Sequence, residues 1–289
     1  MGITETVKND YRTIETRMEG QVVRINLNRP GQHNALVPEL LTELYQALDE
    51  ISAMDEVLFV VLSGNGRSFC AGADLHWFAG SDKRSPEQNA AQYKMLADLL
   101  LKLYQLPQVT IAGVHGNVFG GGIGLMAVCD FVLAEPTTRF MFSEVRLGLL
   151  PATILPFVAK RLSIQYLRKW ILSGNMFSAQ DAYQAGLVDQ LTFENRLEAS
   201  LLEFMASFET ASPSAIKKAK GLINQVASGE IDIHATEVTS AILAQALMSA
   251  DGQEGVRAFL ETRKSVWGKP HPQPFSKGEG SEEVKIRDI

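Results

Sequence analysis

The segment that most constrains this chain is 103–129, which contains no Lys, Arg, Asp or Glu. An uncharged run of that length raises the question of a membrane span. Its composition answers otherwise, because it holds six glycines, a proline, two glutamines, an asparagine and a histidine. It reads instead as a buried strand (VTIAGV, 109–114), a glycine turn at Gly120-Gly121-Gly122 and a short apolar helix. A strand apolar on both sides needs cover on both faces, the habit of a sheet flanked by helices. VLFVVL at 57–62 makes the same demand, followed by a Gly64-Asn65-Gly66 turn.

The intervening segments supply the cover. Val23, Ile25 and Leu27 alternate with Arg24, Asn26 and Asn28, which predicts a half-buried strand over 21–28. Leu40, Leu41, Leu44, Leu48 and Ile51 form a helical stripe, with Pro38 in its first turn. A second helix is expected from Ser85-Pro86 to about Leu103, and a strand over 131–134. Alternation of this kind specifies an α/β fold. After about residue 152 the pattern turns helical. Ser178 to Asp181 resembles a capping box, Leu197, Leu201, Phe204, Met205 and Phe208 make a stripe, and 213–227 and 232–250 read as helices. Asp251 to Glu254 looks like a second capping box, ahead of Val256, Phe259 and Leu260.

Composition narrows the function classes. Hydrophobic residues at 46% and charged residues at 21% are enough for a sizeable core in a chain of 289 residues. The net charge of −6 gives no support for binding nucleic acid or an anionic membrane. Cys70 and Cys129 lie in no metal-spaced cluster and form no disulfide framework. A reducing cytoplasm is the expected setting, since no secretory signal is evident. No metal, flavin or nicotinamide motif is present.

Three segments could carry chemistry: GNGRSFCAGADL (64–75), IAGVHGNVFGGGIGLMAVCD (111–130) and RFMFSEVRLGLLP (139–151). A glycine turn that feeds a helix presents free backbone N–H groups, suited to a phosphate or a developing oxyanion; a plain tight turn fits the residues equally well. The spacing is neither GxGxxG nor a P-loop. Glu144 stands among Phe140, Met141, Phe142, Val145 and Leu147. It is either a desolvated acid–base or an exposed carboxylate paired with Arg139 or Arg146. Cys70 reads as an apolar filler and His115 as a satisfied structural histidine. Trp77, Phe78 and Phe119 fit a pocket lining or ordinary core.

Taken together, the motifs resemble the crotonase (enoyl-CoA hydratase/isomerase) superfamily. They are N-L-N-R-P-x-x-x-N-A-L (Asn26 to Leu36), F-C-A-G-A-D-L (Phe69 to Leu75) and the Gly120 turn ending at Cys129-Asp130. Ser143 to Pro151, Leu172 to Gly174 and Ser178 to Asp189 continue the match, which covers roughly 11–267. The resemblance implies a spiral of ββα units over 1–200 and a helical C-terminal trimerisation region over 201–267, while the Gly, Pro and charge content of 268–289 predicts a flexible tail. It implies an acyl-CoA thioester as substrate, no separate cofactor, and a homotrimer or homohexamer. Ala73 and Gly121 match the backbone oxyanion donors and Glu144 the catalytic carboxylate. Ala71, Asp74, Leu75 and His76 match the CoA path, and Phe259, Arg263 and Lys264 the stretch that closes over CoA. Trp77, Phe119, Gly120, Gly124 and Arg146 fall around the acyl pocket.

The chain departs from the family pattern at Gly124, where hydratases of the main branch carry a second glutamate. The finer pattern is similar to methylglutaconyl-CoA hydratases and to dehydratases that make methylglutaconyl thioesters. The expected activity is therefore hydration of an enoyl-CoA, with 3-methylglutaconyl-CoA as substrate. A Δ3,Δ2-enoyl-CoA isomerase or an acyl-CoA decarboxylase using the same oxyanion hole is the alternative. A non-catalytic acyl-CoA or RNA-binding relative is the more remote one.

Overall fold

The computed structural model describes residues 11–227 and 232–267. The expected tail at 268–289 lies outside them. The chain opens with an antiparallel hairpin, β1 (Ile14–Glu19) and β2 (Val22–Leu27), followed by α1 (Pro38–Ser52). Next come β3 (Phe59–Gly64), the single turn α2 (Leu75–Phe78) and α3 (Pro86–Gln105), which starts on a Ser85/Gln88 capping box. Then follow β4 (Val109–Val114), β5 (Asn117–Phe119), α4 (Gly121–Ala127), β6 (Phe131–Ala134) and β7 (Arg139–Met141). The remainder is α5 (Leu155–Val158), α6 (Ile164–Leu167), β8 (Phe177–Ser178), α7 (Ala179–Gln184), β9 (Gln190–Leu191), α8 (Leu197–Ala206), α9 (Pro213–Val226), α10 (Ile233–Met248) and α11 (Ala250–Leu260).

The described residues form two sheets. The larger has the order β1-β2-β3-β4-β6-β9, parallel from β2 onward, and the smaller β5-β7-β8. The spiral follows from this pairing. β4 enters the large sheet, β5 the small one, and α4 follows; β6 and β7 repeat the first two steps. The Cys70–Val118 bridge makes 69–71 the matching step of the turn before. The expected strands at 109–114 and 131–134 form as read. The strand expected at 57–62 runs instead over Phe59–Gly64, paired with β2 through Gly64, and the Val109 N–H donates to the Leu58 carbonyl just before its entrance.

The core lies between the large sheet and α1, α3 and α4, where Leu27, Leu40, Leu99, Ala112 and Leu125 are fully buried. A second cluster packs Leu201 and Met205 of α8 on Phe59, Val61 and Leu133. Two polar clamps fix the ends of the site elements. Lys220 donates to the Gln108 carbonyl at 2.8 Å and pairs with Asp130 at 2.7 Å. Arg161 donates to the carbonyls of Ala127 and Asp130 at 2.9 Å each, a cation at the C-terminal end of α4.

The second expected capping box does not cap. Ser249 is the N-cap of α11, its Oγ accepting the Gly252 N–H, while Asp251 accepts from Ser212 and Ser214. Val256, Phe259 and Leu260 project into solvent rather than into a core. No helix among the described residues is long and apolar enough to cross a membrane, and the uncharged run 103–129 is divided between α3, β4, β5 and α4.

Candidate active site

Two glycine turns meet edge to edge. Cys70 N–H donates to the Asn117 carbonyl at 3.3 Å, and Phe119 N–H returns to the Cys70 carbonyl at 3.0 Å. Gly72 adopts φ +96°, and a Cβ there would stand 3.1 Å from the Phe119 carbonyl oxygen. Gly120 adopts φ +46°, and a Cβ would meet the Glu144 Oε1 at 2.9 Å. Both positions thus require glycine for backbone conformation and for close approach.

Leu36 lies beside the first turn. Its N–H donates to the Gly72 carbonyl at 2.8 Å, and its carbonyl accepts the Asp74 N–H at 2.9 Å. The intervening Ala73 N–H points the other way, as alternation in a parallel bridge demands, and has no acceptor among the described residues. The Gly121 N–H, first in α4, likewise has none. Leu36 also packs against Gly121, where a Cβ would meet its Cδ1 at 2.6 Å, so one side chain touches the second turn while its backbone brackets the first donor. Two unpaired N–H donors on adjoining turns are equipped to hold one oxygen that gains negative charge.

Glu144 begins a 3-10 turn, Glu144–Leu147, that follows β7. Its Oε2 is buried without a hydrogen-bond partner. Burial pushes its carboxyl pKa up, against a smaller lowering from its own backbone N–H. Among the described residues it makes no ion pair. Arg146, one of the two expected partners, donates instead to the Asn175 Oδ1 at 3.1 Å and packs its stem over Gly174. Of the two readings left open, the desolvated carboxylate is the one the structure has.

Gly124 is buried in α4, and its missing side chain is replaced by a neighbour. A Cβ there would stand 2.3 Å from the Ile154 Cγ2 and 3.0 Å from its Cβ. Ile154, itself fully buried, therefore fills the volume in which a second carboxylate would start. No feature of the sequence marked Ile154.

The other candidate residues fall into groups. Asp74 caps α2 through the His76 N–H at 3.1 Å and pairs with Arg29 at 3.3 Å, so its carboxylate is committed within the protein. Leu75 and His76 are exposed beside it, and Ala71 is half-buried. Trp77 is buried in a ring cluster with Phe78 and Tyr93, and its indole N–H is unpartnered. Phe119 is half-buried at the end of β5. Phe259 and Lys264 are not brought to this group: Phe259 is 83% exposed, and among the described residues no hydrogen bond or ion pair links either to the two turns. His115 rests on the Gly66 carbonyl at 3.0 Å, and burial pushes the Cys70 thiol up to about 12, which suits structural roles for both. No His, Cys, Asp and Glu grouping suited to a metal ion occurs among the described residues.

Over most of its length the chain is similar to known proteins. A family model described as enoyl-CoA hydratase/isomerase matches residues 17–270. The bacillaene synthase dehydratase PksH of Bacillus subtilis is 30% identical over 258 residues, spanning 89% of this chain and 97% of that protein. The crystal structure of an enoyl-CoA hydratase from Shewanella pealeana superposes with a TM-score of 0.84 at 32% identity, covering 89% of this chain and 97% of that one. Pseudomonas aeruginosa AtuE gives a TM-score of 0.85 at 32% identity, covering 89% and 99%.

Proposed function

Since this chain belongs to the enoyl-CoA hydratase/isomerase family, we propose that it adds water across C2=C3 of an acyl-CoA thioester, with 3-methylglutaconyl-CoA as its substrate. The observation that carries this reading is the half-buried Glu144 carboxylate, its Oε2 buried without a partner, facing the turn that bears the free Gly121 N–H. The Ala73 and Gly121 N–H groups hold the thioester oxygen as it becomes an enolate. Glu144 takes a proton from the water that attacks C3 and delivers a proton to C2. A raised pKa suits both halves of that exchange, because the same group must act as base and then as acid. Leu75, His76 and the backbone of Ala71 and Asp74 border the CoA path. Trp77, Phe119, Gly120 and Gly124 border the acyl group.

The similarity to a relative named as a dehydratase supports water chemistry at this site. The Ile154 packing on Gly124 favours a second reading, Δ3,Δ2 isomerisation, because one carboxylate with an apolar wall opposite is sufficient to carry a proton between C2 and C4. Phe259 and Lys264 join a CoA site only in an assembly, and the exposed Met248, Phe259 and Leu260 of α10 and α11 support a homotrimer or homohexamer.

The test is turnover of 3-methylglutaconyl-CoA beside crotonyl-CoA, with products weighed by mass spectrometry. Addition of water, preferentially to the branched substrate, is expected. Double-bond migration in a 3-enoyl-CoA with no gain of mass would make the enzyme an isomerase, and loss of CO₂ would make it a decarboxylase.

A further inference from the structure

We infer that Asn34 is a positioning residue for this reaction: its side chain sets the direction of the Ala73 N–H through the backbone of residues 33–36. The inference rests on the reading of Ala73 as an oxyanion donor.

Asn34 is fully buried. Its Oδ1 accepts the Arg29 N–H at 2.8 Å, and its Nδ2 donates to the carbonyls of Asn65 at 2.9 Å and Ser68 at 2.8 Å. All its donors are used. The side chain thereby ties the 29–36 segment to the turn after β3, just before Phe69. His33 and Asn34 both stand in the left-handed region, at φ 51° and 54°. Two such non-glycine residues in a row cost free energy, and the bonds Asn34 makes are what hold them there.

That conformation presents residues 33–36 as a template. The His33 carbonyl accepts the Ala71 N–H at 2.9 Å, while Leu36 bonds the Gly72 carbonyl and the Asp74 N–H. Ala71, Gly72 and Asp74 are thus pinned to one strip of backbone, and the N–H left over between them is that of Ala73. Arg29 completes the brace by donating to the Ala35 carbonyl and to the Asp74 carboxylate. Asn34 itself reaches neither Ala73 nor Gly121. It acts by fixing the register of the strip on which the donor is laid.

The experiment uses the full chain and the probe 4-dimethylaminocinnamoyl-CoA, whose absorption moves to the red when hydrogen bonds polarise its thioester carbonyl. Asn34→Gly removes all three side-chain bonds and keeps the left-handed backbone accessible. It is expected to lose at least about half of the wild-type red shift, and kcat is expected to fall about 10- to 100-fold with KM within about threefold. Asn65→Ala, in the same turn but bonded through its side chain, among the described residues, only to Glu15 and Asn28, keeps the wild-type shift and turnover. If Asn34→Gly does not fold, Arg29→Met, which removes the other half of the brace, must show the reduced shift. A folded Asn34→Gly with full red shift and kcat within about twofold overturns the inference, and so does an equal loss in Asn65→Ala. A wild-type protein that binds the probe with no red shift overturns the oxyanion reading itself, and the inference with it.

Discussion

Replacing Gly124 by alanine tests whether Ile154 excludes a second side chain from α4. In an open helix, Gly to Ala gains about 1 kcal/mol from the reduced freedom of the unfolded chain. Here the new Cβ would stand 2.3 Å from the Ile154 Cγ2, where carbon atoms in contact prefer roughly 3.5–4.0 Å. Overpacking of this kind costs about 1–3 kcal/mol, so Gly124→Ala is expected to destabilise by about 0–2 kcal/mol net. Ile154→Ala alone costs about 2–5 kcal/mol through transfer and cavity terms. In that background the clashing Cγ2 is gone, and only the Cβ of residue 154 stays close, 3.0 Å from the new methyl. Gly124→Ala then stabilises by up to about 1 kcal/mol from propensity. The two substitutions should therefore couple by about 2 kcal/mol. Equilibrium urea unfolding of the four proteins at one fixed protein concentration measures this. Effects that add within about 0.5 kcal/mol would refute the packing argument.

A functional corollary follows from the same geometry: Gly124→Glu is expected to lower stability and to leave hydration unimproved, whereas with Ile154→Ala it places a second carboxylate, and crotonyl-CoA hydration by the two variants decides this. Glu144→Gln should lower turnover by about 10²–10⁴ while leaving thioester binding within a few-fold, as steady-state kinetics and inhibitor binding would show. The pH dependence of stability has a definite sign. The folded-state pKa of Glu144 is raised, so the ionisation penalty is absent while the carboxyl is protonated in both states, and it grows as pH rises above the ordinary carboxylate range. Glu144→Gln should therefore melt higher than wild type at pH 7, with the gain vanishing at acid pH; a gain independent of pH would count against a buried carboxylate. Lys220→Met leaves Asp130 without the cation of a mostly buried pair and should destabilise by about 3 kcal/mol, whereas Arg24→Met, which breaks a pair with the exposed Glu198, should cost under about 1 kcal/mol by denaturant unfolding.

Legibility tracked the range of the interaction. Strands β4 and β6 and helix α1 were readable, because continuous apolar runs and a helical stripe answer to periodicity alone. The short strands β5, β7 and β8 were not, since two or three residues carry no period and exist only by pairing with one another. The Ser178 box caps α7, where its partner Asp181 is local. The Asp251 box fails because Ser212 and Ser214, nearly 40 residues earlier, take the carboxylate.

For the site, the sequence by itself supplied the candidate residues: two glycine turns, a carboxylate among apolar residues, and no second glutamate at Gly124. These are matters of residue type and order. The tertiary structure decided their state. Whether Glu144 is ion-paired or desolvated depends on where Arg146 turns, and it turns to Asn175. Ala73 offers its N–H because Leu36, far away in sequence, takes the groups on either side. Gly124 lacks a carboxylate by sequence, but the apolar wall there is the Ile154 side chain folded back onto α4. Hydrogen bonding and exclusion of volume are properties of neighbours in space, and a single chain of letters lists only neighbours in sequence.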